Sequence, residues 1–177
     1  MTRHMAKSGN RLFLFKVVQS NHSVKVRGFP YRVIAVPETF TLYELAMEIL
    51  ARFEFECDHA FGFYNNIVRY GQSNEGYELF SDDEMGSDSD FPGVKETPVT
   101  TVFTTIGKKM LFLFDYGDEW HFIVKLIGIK PANDGELCAV CVKSIGKARH
   151  QYEGQAEIEM MARIDEDDEE YNHHSCG

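Results

Sequence analysis

Residues Phe112 to Leu126 read FLFDYGDEWHFIVKL. Two apolar arms flank an acidic turn that contains a glycine. Side chains alternate across a strand with period two. Leu111, Leu113 and Asp115 should therefore share one face, and Phe112, Phe114 and Tyr116 the other. Beyond the turn, Trp120, Phe122, Val124 and Leu126 oppose His121, Ile123, Lys125 and Ile127. Both arms are rich in β-branched and aromatic residues, which favours strand over helix. Asp115 to Glu119 suits a tight reversal, because Asp can bond nearby backbone and Gly supplies positive φ. The segment 109–128 is thus expected to be a β-hairpin, central in its sheet because both faces are apolar. The turn gathers Asp115, Asp118, Glu119 and His121. These groups could hold a divalent cation, act as acids or simply bond the turn amides.

The chain has 177 residues, enough for one domain with a sizeable core. Its net charge of −10 is unevenly placed. Ser81–Asp90 and Asp165–Glu170 together hold eleven carboxylates and no cation, so the remainder carries about +1. An acidic chain without a basic stripe argues against nucleic acid as a partner. No apolar run reaches the ~18 residues of a membrane span. The opening MTRHMAKSGN has no apolar core of a secretory signal. The expected location is the cytoplasm, with Cys57, Cys138, Cys141 and Cys176 reduced.

Working outward, Arg11–Ser20 and Tyr31–Val36 alternate as strands, joined closely enough to be antiparallel. Thr41–Phe53 is expected to be a helix. Thr41 and Glu44 form a capping box, and Leu42, Leu45, Ile49 and Phe53 make one apolar stripe to pack on a sheet. A hairpin is expected over 59–70, with strands His59–Tyr64 and Ile67–Tyr70 and an Asn65-Asn66 turn. Residues 71–99 look like an acidic flexible insertion. One helical turn is expected in 100–106, a loop over 129–136, a strand at 137–143 and a short helix at 155–163. Residues 1–10 and 164–177 are expected to be disordered tails around a single domain, 11–163.

Three constellations could carry chemistry. Asp58 and His59 open a strand beside the central hairpin. If they met Asp115, Asp118, Glu119 and Trp120, the result would be a polar pocket with an aromatic wall. Cys138-x-x-Cys141 has the spacing of half a zinc site, with His150, Cys57, His173, His174 or Cys176 as further ligands. On a strand, however, positions three apart face opposite sides. No cofactor is otherwise evident; zinc or another divalent metal is the one candidate. Lys143, Lys147, Arg149 and His150 form a basic cluster suited to a phosphate or to the chain's own acidic segments.

The order of these pieces has a resemblance. Arg32-Val33-Ile34-Ala35-Val36-Pro37 is followed by Thr41-Leu42-x-x-Leu45, by Asp58-His59-x-Phe61-x-Phe63, and by Phe114-Asp115-Tyr116-Gly117-Asp118-Glu119-Trp120. This resembles the plasmid pRiA4b ORF-3-like family, small proteins of bacteria and archaea. Lys143-Ser144-x-Gly146-Lys147-Ala148 and Gln151-Tyr152 look like the segment that follows the hairpin in one branch. Phe122 stands where many members carry His, and the two prolines before an acidic pair are lacking. The resemblance implies an α+β single domain: a mostly antiparallel sheet capped by helix 41–53, with a first half like a β-grasp hairpin plus helix. It implies no established activity; some members lie on mobile elements, an association rather than a mechanism. Two readings follow. One is a non-catalytic module that binds another protein by a sheet face or edge. The alternative is a small metal-dependent hydrolase or nuclease using Asp58, His59, Asp115, Asp118 and Glu119.

Overall fold

A computed structural model describes residues 11–20, 27–82, 89–133 and 138–152. Seven strands form one sheet: β1 (Arg11–Gln19), β2 (Tyr31–Pro37), β3 (Phe61–Tyr64), β4 (Gly76–Glu78), β5 (Lys109–Phe114), β6 (Trp120–Pro131) and β7 (Val140–Ile145). Their order is β4-β3-β5-β6-β1-β2-β7, and every neighbouring pair is antiparallel. The fold is α+β. No helix among the described residues is long and apolar enough to cross a membrane.

The hairpin 109–128 is the middle of this sheet. Its second arm continues to Pro131, because β6 pairs with β5 on one side and β1 on the other. The loop expected from residue 129 therefore begins later. A register shift sits between Leu14 and Phe15, opposite the step from Gly128 to Leu126. The extra residue, Ile127, lets Ile129 rejoin the core side.

Helix α1 (Leu42–Arg52) covers one face. Its capping box is present: Glu44 N donates to Thr41 Oγ1 at 3.2 Å, and Thr41 N to Glu44 Oε2 at 2.8 Å. Leu42, Leu45, Ala46, Ile49 and Leu50 are buried against Phe13, Phe15, Phe61, Phe112, Phe114 and Phe122. The one-sided stripe makes the helix because only a sheet face can bury it.

The expected second strand at 67–70 does not form. Asn66 Oδ1 accepts Arg69 N at 2.9 Å, an Asn-capped turn that stops extension. A 3₁₀ turn follows at Tyr70–Gln72. The partner of β3 is instead β4, six residues further on, with the loop closed by Asn65 Nδ2 donating to Asn74 Oδ1 at 2.6 Å.

Of the acidic flexible insertion expected over 71–99, residues 71–82 and 89–99 are described, and they make contacts with the body of the fold. Val94 and Val99 are fully buried. Asp82 Oδ2 accepts Val94 N at 2.9 Å and Lys95 N at 3.1 Å. Leu42 N donates to Thr97 O at 2.8 Å, and Tyr43 N to Val94 O at 3.2 Å. A helix leaves its first N–H groups without intrahelical acceptors, and this segment supplies two. Helix α2 (Val99–Val102) is the turn expected near residue 100. Strand β7 starts at Val140 rather than at residue 137. The short helix expected at 155–163 and both tails lie outside the described residues.

Candidate functional site

The β5–β6 turn reverses through two non-glycine residues at positive φ, Asp115 (58°) and Glu119 (51°). Such a conformation is uncommon for any residue with a Cβ. Asp115 stabilises its own turn, with Oδ1 accepting Gly117 N at 2.9 Å, while Glu119 N donates to Asp115 O at 2.7 Å. The left-handed step breaks strand alternation after Phe114. Tyr116 therefore packs with Leu111 and Leu113, not with Phe112 and Phe114 as alternation predicts.

Asp115 N also donates to Ala60 O at 3.0 Å, which sets the turn against the entry to β3. There the expected convergence occurs for three residues. His59 Nδ1 lies 2.7 Å from Asp58 Oδ1, and His59 Nε2 lies 3.6 Å from Asp115 Oδ2. The imidazole bridges two carboxylates while its side chain stays 44% exposed. Its wall is the edge-on ring of Phe114, 6.1 Å between centroids.

Two residues missed as site members complete the cluster. Gln151 Nε2 donates to Asp58 Oδ1 at 2.7 Å, and Tyr152 Oη–H donates to Asp58 Oδ2. Gln151 is buried, and its Oε1 accepts Glu56 N at 2.7 Å. Their delivery depends on the end of β1. Gln19, itself buried, accepts Arg149 N at 2.8 Å and donates to Arg149 O at 3.0 Å. Arg149 also donates to Ser20 O at 2.9 Å and lies over the Trp120 ring at 5.2 Å.

The charges follow from this geometry. Hydrogen bonds from Tyr152, then from His59 and Gln151, lower Asp58 to a pKa of about 2. Bonding to Asp58, then the charge of Asp115, raises His59 and favours its imidazolium. The same Asp58 bond pushes Tyr152 up to about 12.

The other expected members disperse. Asp118 reaches His59 only through its charge. Trp120 packs edge-on to Phe55, 4.9 Å between centroids, and its cross-strand partner Phe114 is the ring that walls His59. Glu119 Oε1 accepts from Tyr70 Oη at 3.1 Å on the opposite face, with Oε2 3.9 Å from His121 Nε2. That face holds a second polar cluster. Tyr64 Oη donates to Glu78 Oε1 at 2.6 Å and lies 2.7 Å from Tyr116 Oη. Burial raises both phenols, Tyr116 to about 12.

Cys138 and Cys141 flank the start of β7; Cys141 Sγ–H donates to Lys143 O at 3.4 Å. Among the described residues no group of three or more His, Cys, Asp or Glu is arranged to hold a metal ion. His173, His174 and Cys176 lie outside those residues.

A family model described as plasmid pRiA4b ORF-3-like protein matches residues 24–176. A solved structure, the protein of unknown function MM3350 from Methanosarcina mazei Go1, is similar with a TM-score of 0.66 at 22% identity. That match covers 91% of this chain and 85% of the other. At that identity the likeness concerns the fold. No curated protein matches the chain. The chain belongs to the plasmid pRiA4b ORF-3-like family.

Proposed function

We propose that the protein is a non-catalytic binding module that takes up an extended segment of a protein partner along the outer edge of β7. One observation carries the reading. Strand β7 ends the sheet and exposes Val140, Val142 and Ile145 at 53%, 51% and 46%. Natural sheets normally guard such an edge with charge, brevity or cover. The opposite edge is guarded in that way: β4 has three residues, and Glu78 N donates to Pro92 O at 3.0 Å. Strand addition would use the outward backbone groups of β7 for affinity and its valines for side-chain selection. The same reading puts the protein in the cytoplasm, where Cys57, Cys138 and Cys141 stay as thiols. A displayed library of random peptides, screened against the full chain, tests it. Bound peptides should slow amide exchange at residues 140–145, and the Val140→Lys/Val142→Lys variant should lose them. Peptides that protect only other strands would refute the edge.

A second reading, a small hydrolase or nuclease, draws on the meeting of Asp58, His59 and Asp115. An imidazolium held between carboxylates can donate a proton to a leaving group. The attacking group would be water or one of the two carboxylates in contact with the imidazole, Asp58 and Asp115. Turnover of a chromogenic phosphodiester or ester, lost in His59→Gln and independent of added divalent metal, would establish this reading. Equal rates in the two proteins would remove it.

A further inference from the structure

The face of the sheet away from α1 carries a row of like charges. Residues paired across a ladder point to the same side. Lys109 pairs with Lys125, Lys125 with Lys16, Lys16 with Val33, and Val33 with Lys143. Four lysines thus stand in one line across five adjacent strands, β5-β6-β1-β2-β7. At ~4.8 Å per strand the line is about 19 Å long. Tyr31 anchors one end, with Lys16 Nζ 4.2 Å and Lys143 Nζ 5.9 Å from its ring centroid. At the other end Lys16, Lys109 and Lys125 line a groove of about 200 Å³ with Val18, Ile123 and Ile127. No carboxylate of the described residues forms an ion pair with any of the four lysines.

Like charges directly opposite one another in a sheet are destabilising. A chain of net charge −10 has many acids with which to relieve them, yet the described acids that pair with a Lys or Arg do so elsewhere. Glu75 pairs with Lys108 at 2.6 Å, Glu38 with Arg11 at 2.6 Å and Glu48 with Arg52 at 3.0 Å. The largest acidic run is Asp165–Glu170, six consecutive carboxylates preceded by Ile158, Met160, Met161 and Ile164. This run combines anions for the lysines with aliphatic groups for the groove. The thirteen steps from Tyr152 to Asp165 can span about 43 Å when extended. Tyr152 is fixed to Asp58 beside the β5–β6 turn. From there the lysine row lies about six residues down β5 and β6, or about 20 Å.

We propose that the chain's own acidic segment 157–170 docks on the lysine row Lys109–Lys125–Lys16–Lys143. The contact is electrostatic and intramolecular. Salt weakens it, with a screening length of about 8 Å at physiological ionic strength. It rests on the ladder register and does not depend on the reading of the β7 edge.

Zero-length carbodiimide coupling of carboxylates to lysines, applied to the dilute full chain, tests the contact. Linked peptides are then mapped by mass spectrometry of the monomer band. The expected result joins the 157–170 peptide to Lys16, Lys109, Lys125 or Lys143, with yields falling at least fivefold in 0.5 M salt. The variant with Asp165, Asp167 and Asp168 changed to Asn and Glu166, Glu169 and Glu170 changed to Gln should reduce these links. It should leave the Glu75–Lys108 link intact, which reports that the sheet is folded. Links of the acidic peptide only to other lysines would overturn the proposal. So would links found only in a dimer band, which would make a second copy the occupant.

Discussion

On the α1 side of the sheet, Phe112 meets Phe63, Phe61 and Phe122 at centroid distances of 4.9, 5.4 and 5.7 Å. On the other side Tyr64 meets Tyr116 hydroxyl to hydroxyl, and a line of lysines crosses the strands. The same strands supply both faces, one residue apart. The first face is held by apolar area removed from water, which needs only the right pattern and volume. The second is held by hydroxyl and carboxylate contacts, which need particular atoms in particular places. The first can be read from alternation; the second depends on which distant segments arrive.

Cutting the first face should have the largest effect. Phe112→Ala removes a fully buried ring from the centre of the aromatic cluster. It should cost ~3–5 kcal/mol, the range for Phe truncation in a core. Urea unfolding followed by Trp120 fluorescence would report it as a lower midpoint at similar slope. A loss below about 1 kcal/mol would mean that the face repacks freely, and the contrast between the two faces would fail.

A single methyl group should break the second face. A Cβ at Gly62 would lie 2.7 Å from Tyr64 Oη and 2.8 Å from Tyr116 Oη. Gly62→Ala should therefore cost ~1–3 kcal/mol through overpacking. Tyr116→Phe alone should cost about 1 kcal/mol for the lost hydrogen bond. In the double variant one clashing oxygen is gone, so the combined loss should be less than the sum of the two. Strict additivity would show that the hydroxyls do not meet over Gly62 in solution.

These two faces also explain what the sequence shows and what it hides. The hairpin 109–128, the capping box at Thr41 and the stripe Leu42, Leu45, Ile49 and Phe53 are legible because period and capping are local. The strand expected at 67–70 fails because Asn66 spends its side chain on Arg69 N, a choice that periodicity does not record. The acidic residues near 82 look solvated by composition, yet Asp82 holds two backbone amides. At the candidate site, Asp58, His59 and Asp115 were legible as chemistry-bearing types near the hairpin. Gln151 and Tyr152 were not, because they join Asp58 across more than ninety positions through the Gln19–Arg149 clasp. Glu119 and Trp120 were read together with Asp115 but part from it. Glu119 accepts from Tyr70 on the face away from α1, and Trp120 packs on Phe55.

The smallest effect, and the sharpest on the site itself, concerns pH. Asp58 lies below its ordinary 3.8, at about 2. Its contribution to stability is present above its unfolded value and is lost as pH falls from about 4 through about 2. His59 is shifted the other way. Its contribution is complete below its ordinary value of 6.5 and is lost as pH rises through the higher folded value. The cluster therefore adds most between those limits, modestly, because the groups stand in contact with water. Proton NMR titration of the His59 ring separates the causes. Asp58→Asn removes the carboxylate that bonds the ring, so the His59 pKa should fall, and Tyr152 should drop from about 12 towards its ordinary 10. Tyr152→Phe removes the leading cause of the Asp58 shift, so Asp58 should rise towards 3.8 while His59, which keeps its own bond to Asp58, moves less. An unchanged His59 in Asp58→Asn would mean that the imidazole does not sit between the two carboxylates. The acid–base reading would then lose its footing.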